Sequence, residues 1–207
     1  MLYLVDNTID GQGASPRELQ ASLNRVRPEL EILIEPYGEV SMQRVKDLSP
    51  THIVLSGQSH PWDLYPADSL AGLLEVIREA PKPILGVCGG HQQMAIAFGA
   101  PVGLMERLTP GEGYEGAKRE RGFFEIETTD GNGLFTGLPS RVNVWQSHCD
   151  EVKALPEGFR RTAYNQTCAI QAMEHESKLL FGVQFHPELF DDEHPQGRRI
   201  IENFLDL

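Results

Sequence analysis

One string dictates much of the architecture of this chain: Ile84-Leu85-Gly86-Val87-Cys88-Gly89-Gly90-His91-Gln92. A short apolar run stops at a cysteine set among three glycines, and a helix-like segment follows over residues 92–98. This reads as a strand turning sharply into a helix. Glycine supplies the backbone freedom for such a turn and lets the helix pack close to the strand. A cysteine there stands at a helix N-terminus, where the helix dipole favours the thiolate, the nucleophilic form. The amide of the next residue, Gly89, points to where an oxyanion would form. A lone cysteine is more commonly a small buried core residue. The strand-turn-helix setting and a second motif downstream weigh against that reading here.

The second motif is FGVQFHPE, residues 181–188. Residues 180–185 read as strand and Pro187 ends it, so His186 stands at a strand terminus. Glu188, two residues on, can accept a hydrogen bond from the second imidazole nitrogen and fix its tautomer. Cys88, His186 and Glu188 thus supply a nucleophile, a base and an acid that orients the base. That is the apparatus for acyl transfer through a thioester. The competing histidines are His52, His60, His91, His148, His175 and His194. His148 is the strongest rival, because it also falls at a strand end.

Apolar runs at residues 2–5, 31–34, 52–56 and 83–87 read as strands. Ser15 as N-cap, with Pro16 in the first turn and Glu18 three residues after the cap, predicts a helix to about Arg27. Leu70, Leu73, Leu74 and Ile77 predict a second helix over 67–79. Strands that are nearly all apolar, alternating with helices, indicate a mostly parallel sheet covered on both faces, a flavodoxin-like α/β fold. The second half changes character. Short runs at 123–128, 142–146, 159–164, 169–174 and 179–184 predict antiparallel strands, and residues 198–205 a last helix. With no repeat, low-complexity tract or linker, residues 1–207 read as a single domain.

The 207 residues carry a formal net charge of −12. Basic residues form no stripe, which disfavours nucleic acid. No apolar run approaches the ~20 residues of a membrane helix. The acid excess reads as solubility, or more sharply as a docking surface for a basic partner. Cys88, Cys149 and Cys168 are an odd, sparse set suited to a reducing cytoplasm, and no pair has metal-site spacing. Neither a metal nor an organic cofactor is expected.

GVCGGHQ and FGVQFHPE resemble the two signatures of class I, triad-type glutamine amidotransferases, in order and in spacing, 186 − 88 = 98 residues. VDN at 5–7, IVLSG at 53–57, VWQSHCDEV at 144–152 and GRRIIENFL at 197–205 are similar to further segments of that family. The resemblance implies Cys88 as nucleophile, His186 as base and Glu188 as orienter. It implies Gln92 on the substrate side, and Gln146, Ser147 and His148 in the segment holding the substrate's α-amino and carboxylate groups. It places the oxyanion hole at Gly89 and the Gly57-Gln58 turn. VWQSHCDEV, LPEGF at 155–159 and AIQAMEH at 169–175 are most similar to the glutaminase portion of GMP synthetases. The resemblance therefore implies a cytoplasmic subunit that hydrolyses L-glutamine and passes ammonia to a synthetase partner. The alternatives are a stand-alone γ-glutamyl amide or peptide hydrolase and a non-catalytic regulatory subunit. Two departures stand out: Cys149 replaces the usual glycine after Ser-His, and the family's Gly-Gly-Pro or Asn-Gly-Pro run is here Ser56-Gly57-Gln58-Ser59-His60-Pro61. A non-glycine residue at 58 predicts either strained backbone there or an amide turned away from Cys88.

Overall fold

The computed structural model describes residues 1–9, 11, 14–58, 60–129 and 131–207; Ser59 of the departing run lies outside the described residues. The first half lays down β1 (Leu2–Asp6), α1 (Ser15–Val26), β2 (Ile32–Pro36), α2 (Met42–Leu48), β3 (His52–Leu55), α3 (Ala67–Glu79), β4 (Ile84–Val87) and α4 (Gly89–Ala97). The second half is strand-rich: β5 (Val102–Leu104), β6 (Glu120–Thr128), β7 (Arg141–His148), β8 (Asp150–Val152), β9 (Phe159–Tyr164), β10 (Ala172–His175) and β11 (Leu180–Val183), closed by α5 (Gln196–Leu205).

Nine strands form one sheet in the order β2-β1-β3-β4-β11-β10-β9-β6-β7. The β2-β1-β3-β4-β11 half is parallel and the rest antiparallel. This is the α/β class expected from the alternation of apolar strands and helices. Strand periodicity sorts the core into two layers. Leu2 and Leu4 of β1 face Leu19 and Leu23 of α1 and Ile200, Ile201 and Phe204 of α5. Tyr3 and Val5 face the other way, toward Leu73, Val76 and Ile77 of α3 and Met94 of α4.

One local expectation is corrected, and two elements were not anticipated from the sequence. Ser15 is the first residue of α1 and not its cap, which is Ala14. Its hydroxyl instead accepts the Gly57 N–H at 3.0 Å, satisfying a loop amide beyond the sheet. The seven-residue helix α2 is too short for a readable period, yet Ser41 caps it by accepting the Arg44 N–H. The small β5–β8 ribbon also went unread, its three-residue strands carrying almost no pattern.

Register decides where the chemistry falls. β4 and β11 run side by side and parallel, with Val87 opposite Val183. Cys88 and Gln184 therefore leave the same sheet edge together, tied by the Cys88 N–H to the Val183 carbonyl at 2.8 Å. On the other flank of β4, Leu55 lies opposite Gly86, so the Ser56-Gly57-Gln58 turn leaves that edge too.

Candidate active site

Cys88 occupies the turn between β4 and α4 with φ 50° and ψ −99°, a conformation rarely adopted by a residue with a side chain. Glycines permit it. A Cβ at Gly86 would collide with the Gly90 carbonyl, and one at Gly90 with the Leu55 carbonyl, so strand and helix touch backbone to backbone. The Gly90 N–H donates to the Ser56 carbonyl at 3.1 Å, fastening the helix start to the neighbouring loop.

His186 is buried, and its Nδ1 lies 2.8 Å from Glu188 Oε1. The carboxylate can only accept, so Nδ1 carries the proton and Nε2 is left for other work. The His186 N–H donates to the Trp145 carbonyl at 2.8 Å, which fixes the backbone of His186 to β7. Burial by itself would disfavour the imidazolium. The Glu188 carboxylate and the Cys88 sulfur outweigh burial and hold His186 well above the usual imidazole range. The Cys88 sulfur also accepts the Gln184 Nε2–H at 3.6 Å and lies 3.9 Å from the Ser147 carbonyl.

His148 is arranged differently. Its Nδ1 lies 2.9 Å from the Asp150 carbonyl oxygen and its Nε2 2.9 Å from Glu120 Oε2. Both ring nitrogens are thus engaged away from Cys88. Burial pushes the Glu120 carboxyl up, but hydrogen bonds from His148, Asn165 and Gln171 more than reverse this and favour the carboxylate. Gln171 in turn accepts from Gln146 Nε2 at 2.9 Å. Gln146 and His148 therefore face a buried polar network, whereas Ser147 is exposed at the cavity. His91 is fully buried, and burial, reinforced by the charge of His148, lowers it to about 3.

A cavity of about 200 Å³ opens onto Cys88, lined among others by Gln58, Gln92, Tyr114, Ser147 and Asp150, with Arg119 and Arg121 at its margin. The Gln92 carboxamide is fully engaged. Its Oε1 accepts from Gln58 Nε2 and Trp62 Nε1, and its Nε2 donates to the Asp150 carbonyl and Gln184 Oε1. Tyr114 donates to Asp150 Oδ2 at 2.7 Å; burial raises the Tyr114 hydroxyl and Asp150 alike.

At the turn after β3, the Gly57 N–H is taken by Ser15, while the Gln58 amide nitrogen packs against Gly89. Left-handed backbone at non-glycine residues occurs, among the described residues, at Ser49 and Cys88, so of the two alternatives expected at Gln58 the strained backbone is absent. It sits at the cysteine instead. The structure thus places Cys88, Gln58 and Gln92 on one cavity, with Gly89 packed against Gln58 and with His186, backed by Glu188, hydrogen-bonded to Cys88. Gln184 and Tyr114 were missed by sequence reasoning. Gln184 carried a readable signal, since it alternates with His186 and Glu188 along the chain; Tyr114 carried none.

A family model described as glutamine amidotransferase class-I matches residues 15–207. A Thermococcus kodakarensis protein, named as one of the subunits of glutamine-hydrolyzing GMP synthase, is 41% identical over 166 residues, 80% of each chain. A Pyrococcus furiosus protein of the same name is 40% identical over 166 residues, again 80% of each. A solved structure from Thermoplasma acidophilum, provisionally assigned to the same GMP synthase subunit, is similar with a TM-score of 0.81 at 29% identity. That match spans 99% of this chain and 92% of the other.

Proposed function

Because the chain belongs to the class I glutamine amidotransferase family, we propose that Cys88, His186 and Glu188 hydrolyse L-glutamine to glutamate and ammonia. The observation that carries this reading is the His186–Glu188 contact at 2.8 Å through Nδ1, which leaves the other imidazole nitrogen for the hydrogen bond to the strained cysteine.

The steps follow from those positions. The Cys88 thiolate attacks the side-chain carbonyl carbon of glutamine, and the carbonyl electron pair becomes an oxyanion. The amides of Gly89 and Gln58 are its donors, each worth a factor of about 10²–10³ in turnover. His186, held as imidazolium by Glu188, gives its proton to the amide nitrogen as the C–N bond breaks and ammonia leaves. Water then attacks the γ-glutamyl thioester, and His186 takes the water's proton. The C–S bond breaks, releasing glutamate and restoring the thiolate. Gln184 steadies the sulfur, and Glu120 with His148 holds the strand end whose Ser147 lines the cavity.

We infer that the ammonia goes to the synthetase partner within a GMP synthase, supported by the relatives named as subunits of that enzyme. Ammonia release from glutamine, assayed with and without the matching synthetase, tests both parts. Product formation from glutamine that fails with His186→Ala but is restored by added ammonium is the expected result. Unchanged glutamine-dependent activity in His186→Ala would refute the assignment of the base.

A further inference from the structure

The side chain of Gln58 takes no part in the steps above, yet it is firmly tethered inside the Cys88 cavity. Its Nε2 donates to Gln92 Oε1 at 3.1 Å and to the Tyr114 hydroxyl at 3.3 Å. Both anchors are themselves held, Gln92 by Trp62, Gln184 and the Asp150 carbonyl, and Tyr114 by the Asp150 carboxylate. The other end of the carboxamide is unlike this one. Oε1 is buried and has no hydrogen-bond partner among the described residues. It rests on Gly89, where a Cβ would collide with Gln58 Oε1, with its amide nitrogen and with its Cβ. Gln58 therefore folds back over its own amide and lays its carboxamide across the glycine that follows the nucleophile.

A buried acceptor without a donor is unfavourable, and here it is kept beside the helix start of α4. The group so placed has the same chemistry as the group that glutamine presents to Cys88. We propose that the Gln58 carboxamide is an internal surrogate for the substrate's carboxamide: in the free chain it covers Gly89, and glutamine binds by displacing it. This rests on the glutaminase reading above. Two hydrogen bonds, to Gln92 and to Tyr114, must break before the substrate enters, so the apparent affinity is lowered by the fraction of chains in which the surrogate is in place. Gln58→Ala removes the surrogate and keeps the backbone amide at 58. Tyr114→Phe removes one tether and keeps the surrogate.

The experiment measures kcat and KM for glutamine hydrolysis, and separately the rate at which iodoacetamide alkylates Cys88, read by peptide mass spectrometry. Iodoacetamide is a small carboxamide, and its reaction does not require the hydrolytic cycle. Gln58→Ala is expected to lower KM and to speed Cys88 alkylation about tenfold each, the effect of one to two net hydrogen bonds. Tyr114→Phe is expected to shift both in the same direction by a smaller factor. Hydrolysis with an unchanged or raised KM and unchanged alkylation in Gln58→Ala would overturn the surrogate alone. Faster alkylation in Gln58→Ala, with no hydrolysis by any form, would uphold the surrogate and overturn the glutaminase reading. Thermal melting of both variants against the parent chain establishes that the comparison is between folded proteins.

Discussion

At Cys88 the backbone is held at φ 50° and ψ −99° while the side chain faces a carboxylate-backed imidazole. Strain of this kind costs on the order of 1–3 kcal/mol and persists where the surroundings enforce it. Glycine adopts these angles freely, so Cys88→Gly is expected to abolish hydrolysis yet raise stability by about 1 kcal/mol in urea unfolding. Equal or lower stability would show that the turn is unstrained. The Glu188 carboxylate favours the charged form of His186. The folded-state value of His186 is raised, so its stabilising contribution is complete below the unfolded imidazole value of about 6.5 and is lost as pH rises through the folded value. Glu188→Gln should lower that folded value and move the loss of stability to lower pH, read from the imidazole proton resonances. An unmoved titration would show that Glu188 does not set the charge of the base. Cys88, His186 and Glu188 were legible as candidates because each sits in a motif at a strand end. The role of His148 was not, because its carboxylate partner Glu120 lies 28 positions upstream on another strand.

Among the elements, α4 meets both β4, at Gly86, and β3, at Leu55, in contacts too close for any side chain. Gly90 meets the Leu55 carbonyl and side chain, whereas Gly103 on β5 has open space around its Cα. Gly90→Ala is therefore expected to destabilise the chain by about 3 kcal/mol or more, by overpacking, and Gly103→Ala by well under 1 kcal/mol. Denaturant midpoints of the two variants check this, and similar midpoints would contradict the close approach. The sequence made β4, α3 and the parallel half readable, because apolar runs and a 3.6-residue period are strong over those lengths. It left α2 and the β5–β8 ribbon unread, because seven- and three-residue elements offer too few positions for a period to emerge. The segment bearing Tyr114 is irregular, and Tyr114 reaches the cavity through tertiary contacts with Asp150 and Gln58.

Across the whole molecule, one sheet edge collects groups from three distant parts of the chain: the turn after β3, the turn after β4 and the end of β11. That convergence is a property of register in a parallel sheet, and the order β3-β4-β11 produces it. No helix among the described residues is long and apolar enough to cross a membrane, and the net charge of −12 suits a partner with a basic face. A basic synthetase surface would make association sensitive to salt, so partner-dependent hydrolysis should fall as ionic strength shortens the Debye length below about 10 Å. Salt-independent stimulation would exclude charge as the basis of that docking. The central claim is covalent chemistry at Cys88, and it is tested most directly by quenching the chain in acid during turnover of glutamine and mapping adducts by mass spectrometry. A γ-glutamyl adduct is expected on the peptide bearing Cys88 and none on those bearing Cys149 or Cys168. Turnover with the adduct on another residue, or full turnover by Cys88→Ala, would contradict it.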